Sequence, residues 1–235
     1  MAHVNSAMAG RGKRLACVTG VMCSGALLCF AFVHYSWISE SYYLYKIQNS
    51  GPEAAREACA ALARVGSVRA LESVSRACIE QKDDIRTSEC GIAAGNICTR
   101  EPLAALPALR QMLQSEDARR RWCGAYLLRF IGKDAVPDLR HALSDKSPMV
   151  IRSSMLSLGH MGRAAQDAVA DVVAAIKADK GMSQVFLPGV AALGDIGVGT
   201  EEAMSFLKRW RRPRQVDTFG KEAHRVFVLL GGVAE

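Results

Sequence analysis

The sequence predicts an all-α protein: an α-solenoid of about five helix pairs plus a terminal helix, preceded by one transmembrane helix. Three observations carry that expectation. One short phrase returns six times, ending Leu62-Ala63-Arg64-Val65-Gly66, Ala94-Gly95-Asn96-Ile97-Cys98, Leu128-Arg129-Phe130-Ile131-Gly132, Leu158-Gly159-His160-Met161-Gly162, Leu193-Gly194-Asp195-Ile196-Gly197 and Leu230-Gly231-Gly232-Val233-Ala234. The closing residues of successive copies stand 32, 34, 30, 35 and 37 positions apart, the spacing of stacked helical units. The 235 residues are 50% hydrophobic but only 6% aromatic, and no long run of alternating β-branched residues interrupts them. That composition suits close-packed helices better than a sandwich or barrel. Finally, the 19 residues from Leu15 to Val33 carry no charge, close to the roughly 20 needed to cross a bilayer as a helix.

The N-terminal elements follow from that apolar run. Arg11, Lys13 and Arg14 precede it, and Tyr35, Trp37, Tyr42, Tyr43 and Tyr45 follow it like an interfacial belt. The sequence thus divides into a basic tail (1–14), a signal anchor (15–38), a juxtamembrane connector (39–51) and a repeat domain (52–235). The positive-inside rule places the N-terminus in the cytoplasm and the repeat domain on the other side, periplasmic or extracellular. The rival reading is a cleaved signal peptide. It is disfavoured because His34, Tyr35 and Trp37 crowd the place where small residues are needed, leaving Cys29-x-Ala31 as the one tolerable pair.

The connector is expected to be helical in its first half. Gly51-Pro52 then opens the repeats, with proline at a first helical position where its missing N–H costs nothing. The first helix of each pair is expected to end at the repeated phrase, its Gly supplying a left-handed terminator. The second helices are clearest at Leu106–Leu113 and Val136–Leu143, which align on Pro107 and Pro137 and place aliphatics at i, i+3 and i+7. Further second helices are expected at Val68–Ile79, Ala165–Ile176 and Glu201–Trp210. Helix starts are marked by Glu101-Pro102, Ser147-Pro148, Ser115 before Glu116-Asp117, Thr200 before Glu201-Glu202, and Ser183.

Ile151-Arg152-Ser153-Ser154-Met155-Leu156-Ser157-Leu158-Gly159-His160-Met161-Gly162 resembles the first helix of short bacterial HEAT repeats of the phycobilisome-lyase type. Arg56, Cys59, Ala60, Leu62, Ala63, Val65 and Gly66 fall in the same frame. The resemblance spans about residues 53–235. Trp122 takes the usual Arg position in the third repeat, and the second repeat ends in Cys98. The tetratricopeptide and ankyrin signatures, which share a similar period, are missing. The resemblance implies a scaffold or binding module, a chromophore-lyase subunit or, in one branch of the family, a metal-dependent hydroxylase.

That last branch needs His-Glu pairs as iron ligands. The histidines are His3, His34, His141, His160 and His224, and none is followed by Glu, so neither a metal nor another cofactor is expected. Walker, dinucleotide-binding and nucleophile-elbow motifs do not occur. Cys78 and Cys90 flank the Gln81–Asp84 turn about equally, which permits a disulfide between antiparallel neighbours outside the cytoplasm; the competing reading is small apolar core residues. Two basic clusters stand out as candidate partner or anion sites. One is Arg119, Arg120 and Arg121 beside Trp122, and the other is Lys208, Arg209, Arg211 and Arg212 around Trp210. The net charge of +7 does not extend them into a nucleic-acid footprint. The three N-terminal cations set aside, 27 basic residues face 23 acidic ones, an ordinary solvated surface.

The function expected is a non-catalytic, membrane-anchored HEAT-repeat scaffold or adaptor that binds a protein, with no nucleic-acid partner. Arg110, Arg140 and His141 on the second helices are its expected contacts. The alternatives are a chromophore-lyase-like subunit, or an anion- or phospholipid-binding module built on the two basic clusters.

Overall fold

Short amphipathic segments joined by short turns have one economical arrangement, each helix burying its stripe against its neighbours in sequence. The computed structural model describes residues 35, 37–80, 85–178, 184–197, 199–210 and 218–232, and these are helical with no strand among them. Helix α1 (37–49) is followed by α2 (Pro52–Val65), α3 (Val68–Glu80), α4 (Glu89–Arg100), α5 (Pro102–Leu113), α6 (Ala118–Leu127), α7 (Val136–Ala142), α8 (Pro148–Met161), α9 (Val169–Ala178), α10 (Phe186–Ile196), α11 (Glu201–Trp210) and α12 (Thr218–Leu229). Helices α2, α4, α6, α8, α10 and α12 pack side by side in one layer, the A layer. Helices α3, α5, α7, α9 and α11 form a second layer, the B layer, each lying against the A helix that follows it. The result is an all-helical repeat stack.

Its core is one continuous strip of Ala, Leu, Val and Ile, with Cys at the small positions. The A layer is tight enough to demand small residues. In α8, Ser153, Ser154 and Ser157 are all buried, and each hydroxyl donates to a backbone carbonyl: of Trp122 at 3.4 Å, Val150 at 2.9 Å and Ala125 at 2.8 Å. Two of these reach into α6, so the hydroxyls both save volume and bridge neighbouring repeats.

Several expected boundaries move. Helix α9 starts at Val169 rather than Ala165, because residues Gly162–Ala168 wind as a 3-10 turn. Cys98 does not terminate its helix, which runs on to Arg100. Gly197 closes α10 in the left-handed conformation (φ 68°, ψ 26°), but Gly66 closes α2 in an extended one (φ −66°, ψ 140°), so the terminators do not share one geometry. The cap of α6 is Asp117, which accepts from the N–H of Arg119 at 2.9 Å, with the Ser115 hydroxyl accepting in turn from the N–H of Asp117. Thr200 does cap α11, accepting from Ala203 at 3.2 Å. Ser183 lies outside the described residues.

The transmembrane helix and the localisation drawn from it are corrected here. Among the described residues no helix is long and apolar enough to cross a membrane, so the structure gives no support to a single-pass anchor. The Leu15–Val33 run itself lies outside the described residues. Trp37, Tyr42, Tyr43 and Tyr45 of the aromatic belt belong to α1, which rests on the repeats through Tyr43, Leu44 and Ile47 and leaves Trp37, Tyr42 and Tyr45 exposed. With the anchor unsupported, the placement of the repeats beyond a membrane falls too.

A buried carboxylate fastens α1. Glu40, only 5% exposed, accepts from both the N–H (2.9 Å) and the hydroxyl (2.7 Å) of Ser67, the residue that opens α3. It serves as a cap supplied from a different helix, and Lys46 adds a 2.8 Å ion pair to Glu57 of α2. Replacing Glu40→Ala should lower unfolding stability by about 1–2 kcal/mol, the cost of a lost cap together with an orphaned donor. Urea denaturation followed by circular dichroism measures it, and an unchanged midpoint would show that α1 is not held through this carboxylate.

Candidate interaction face

The B layer exposes one side of every B helix, and its charged residues are arranged by the repeat. Arg110 in the last turn of α5 sends its Nε to both carboxylate oxygens of Asp138 in α7, at 2.9 and 3.0 Å. Arg140, one repeat later, donates its Nε to one carboxylate oxygen of Asp171 of α9. Lys177 of α9 continues the row to Glu202 of α11 at 3.6 Å. The Asp138 carboxylate holds the Arg110 guanidinium above its ordinary value, chiefly through the side-chain hydrogen bond. The side chains expected to reach for a partner therefore already hold the next helix. Exposed pairs of this kind add little stability, but they fix the spacing of adjacent B helices and leave a strip of alternating sign.

The triplet Arg119–Arg121 separates into three destinations. Arg119 lies 3.5 Å from the carbonyl of Ile79, and Arg120 pairs with Glu72 of α3 at 2.9 Å. Arg121 is buried, 5% exposed. Its guanidinium donates to both oxygens of Asp145 (2.7 and 3.0 Å) and to the carbonyls of Ser115 and Glu116 (2.9 Å each). This resolves why cations open a helix against its dipole: Asp117 caps that end, and Arg121 turns back to bind the carbonyls preceding it. Asp145 in turn accepts from the N–H of Ser147 at 2.8 Å, shaping the turn into α8. Burial alone would push the Asp145 carboxyl up; Arg121, the Ser147 amide and Lys146 outweigh it and hold it below the ordinary carboxylate value.

Two grooves flank this clasp. The larger, about 710 Å³, runs between α7 and α9, with Arg140, Ser144, Asp145 and Asp171 at its rim over a floor that includes Leu143, Ile151 and Val185. The smaller, about 330 Å³, brings His141 together with Leu113, Glu116, Arg121, Asp145 and Lys146. Lys208 and Arg209 are exposed in the last turn of α11, whose Trp210 packs edge-on to Phe186 at 5.0 Å. Arg211 and Arg212 lie outside the described residues.

The structure carries Cys78 and Cys90 as buried thiols rather than as a disulfide. They sit in the core strip with Cys59, Cys98 and Cys123, and the Cys78 Sγ lies 3.4 Å from the Ser88 hydroxyl. Burial pushes the Cys98 thiol up to about 12 and raises that of Cys123 as well, where Cys78 stands beside it. Thiols so held stay protonated and serve as small apolar packing. Among the described residues no group of His, Cys, Asp and Glu is placed to hold a metal ion.

The acidic partners Asp138, Asp145, Asp171 and Glu72 were not singled out by the sequence reading. A signal existed for two of them: Arg110 and Asp138 are 28 positions apart and Arg140 and Asp171 are 31 apart, close to the repeat period.

No family model matches this chain, and no curated protein matches it. Among solved structures, the crystal structure of an engineered protein is similar with a TM-score of 0.48 and 18% identity, covering 80% of this chain and 95% of that one.

The Arg121–Asp145 clasp carries a pH signature. Because the folded carboxyl titrates below its unfolded value, its contribution is complete above about pH 4 and is lost as pH falls through the lower folded value. Asp145→Asn should cost about 2–3 kcal/mol at pH 7, the penalty for leaving a buried guanidinium half-paired, and the gap from the parent should shrink steadily below pH 4. Urea midpoints measured from pH 7 to pH 3 test both the size and the direction.

Proposed function

We propose that this chain is a non-catalytic repeat scaffold of the HEAT-like kind that binds a protein partner along its B layer. An extended segment of that partner would lie in the groove between α7 and α9. The groove is the observation that carries the reading. Its floor is aliphatic, and its rim carries both signs of charge in the Arg140–Asp171 ion pair that joins α7 to α9. An apolar floor with polar edges suits a peptide whose alternate side chains point down while its backbone and polar groups meet the rim. The alternating strip beyond it, from Asp138 to Glu202, would set orientation more than affinity.

The repeat phrase of Ile151–Gly162 supports the HEAT-like assignment, since it falls on an A helix packed between two other A helices. The reading as an anion module loses its main argument. Of the first basic cluster, Arg121 is buried in a clasp and Arg120 is paired with Glu72, so neither offers an open guanidinium.

A photo-crosslinking residue placed at Ala174 in the groove should give a discrete adduct in cells, and one placed at Arg152 on the exposed side of α8 should not. Filling the groove by Ala178→Trp should reduce the Ala174 adduct at least fivefold while leaving the circular dichroism spectrum unchanged. Equal labelling from both positions, or an adduct indifferent to the groove-filling substitution, would sink the groove as the binding surface.

A further inference from the structure

Five of the six copies of the repeated phrase carry Gly or Ala at the second place: Ala63, Gly95, Gly159, Gly194 and Gly231. The packing shows why. A Cβ added to Gly95 would stand 3.0 Å from the ring of Phe130, and one on Gly194 would stand 3.1 Å from Val226, side chains delivered by the next repeat. The third copy breaks the rule with Arg129. Helix α6 accordingly stops at Leu127, and Leu128–Phe130 tighten into a 3-10 turn.

The Arg129 side chain is held by aromatic rings, its guanidinium carbon 5.2 Å from the centroid of Tyr126 and 5.7 Å from that of Phe130. Its Nε is buried without a hydrogen-bond partner. Among the described residues it has no carboxylate partner, whereas Arg110, Arg120, Arg121 and Arg140 each have one. His160, exposed near the end of α8, stands within the field of Arg129; burial and the Arg129 charge hold its imidazole below the ordinary value, which favours the neutral ring. The negative end of α6 explains why a cation is tolerated there, but not why a guanidinium lies against two rings without a carboxylate partner among the described residues.

We propose that Arg129, oriented by Tyr126 and Phe130 and flanked by His160, is a recognition site for the carboxylate of an acidic peptide side chain. With Nε buried, the two Nη nitrogens of a guanidinium held against the rings can offer parallel bonds to a planar carboxylate, and the rings beside it would give the methylene stem of Glu an apolar surface. The site lies on the edge where A helices end, away from the groove between α7 and α9, and does not depend on that groove being occupied.

The test is a titration of the full chain with an acetylated, amidated tetraglutamate peptide, followed by the His160 imidazole proton resonances. A second arm uses inorganic phosphate as the rival oxyanion. The parent should show saturable shifts with the peptide, and phosphate should bind at least tenfold more weakly. Arg129→Gly installs the residue type the other repeats use, so the fold is retained and the peptide affinity should drop at least tenfold. Arg129→Gln keeps the length and removes the charge, guarding against loss of fold in the first variant, and should drop it equally. Arg129→Lys keeps the charge but not the fork and should weaken binding severalfold. Absence of saturable peptide shifts in the parent, unchanged affinity in Arg129→Gln, or phosphate binding as tightly as the peptide would each overturn the proposal.

Discussion

The guanidinium of Arg121 ties together segments that no helix could connect alone: the turn between α5 and α6, the start of α6, and the turn between α7 and α8. A stack of helix pairs buries apolar surface between neighbours, and that force is nearly indifferent to a small slide of one pair over the next. Directional bonds remove the indifference. With four hydrogen bonds from one buried side chain, the middle of this stack has one register. The grooves on either side of Asp145 are consequences of that register, because the clasp is the ridge between them. A buried ion pair is weak evidence for net stability, and its bonds act here on the relative placement of the segments it joins.

The same logic runs through the lesser contacts. Asn96 and Arg100 of α4 reach back to the carbonyls at the end of α2, Arg100 touching both Ala63 and Gly66, so the end of one helix is capped by the next repeat. The buried serines of α8 bond carbonyls of α6, and Glu40 caps α3 from α1. In each case a backbone group at a helix end or in a tight interface is bonded by a side chain from an adjoining element. The apolar core joins the stack, and these bonds at helix ends and tight interfaces add direction to it.

Much of the helical order was legible because hydrophobic period and phrase spacing are local properties of the chain. The Pro-x-Leu pattern marked the start of α7 at Pro137 and the body of α5, although α5 begins at Pro102 and holds Pro107 inside it, and the acidic pair after Thr200 marked the start of α11. What could not be read was the use of each charge. Arg119, Arg120 and Arg121 look equivalent in sequence, but about 100° of helix rotation per residue sends one toward the end of α3, one to Glu72 and one into the core. Of the two readings open for Cys78 and Cys90, the packing favours small apolar core residues, since both positions fill the small places of the core strip. Flanking a turn symmetrically says nothing about which face of each helix a side chain occupies.

Arg110 and Arg140 were expected as open contacts and instead brace successive B helices, which changes what the B layer presents. A row of free arginines would be an electropositive surface selecting acidic partners at long range. A row of Arg–Asp pairs is nearly neutral at a distance and patterned close at hand. Such a surface discriminates by the order of charges met in contact rather than by net attraction, and the apolar floor between α7 and α9 then supplies the burial that makes contact worthwhile. Arg129 is set apart from this neutral pattern and stands on the other layer, at the place where the repeat itself is broken. The departure from the repeat and a buried guanidinium nitrogen without a hydrogen-bond partner thus coincide at one residue.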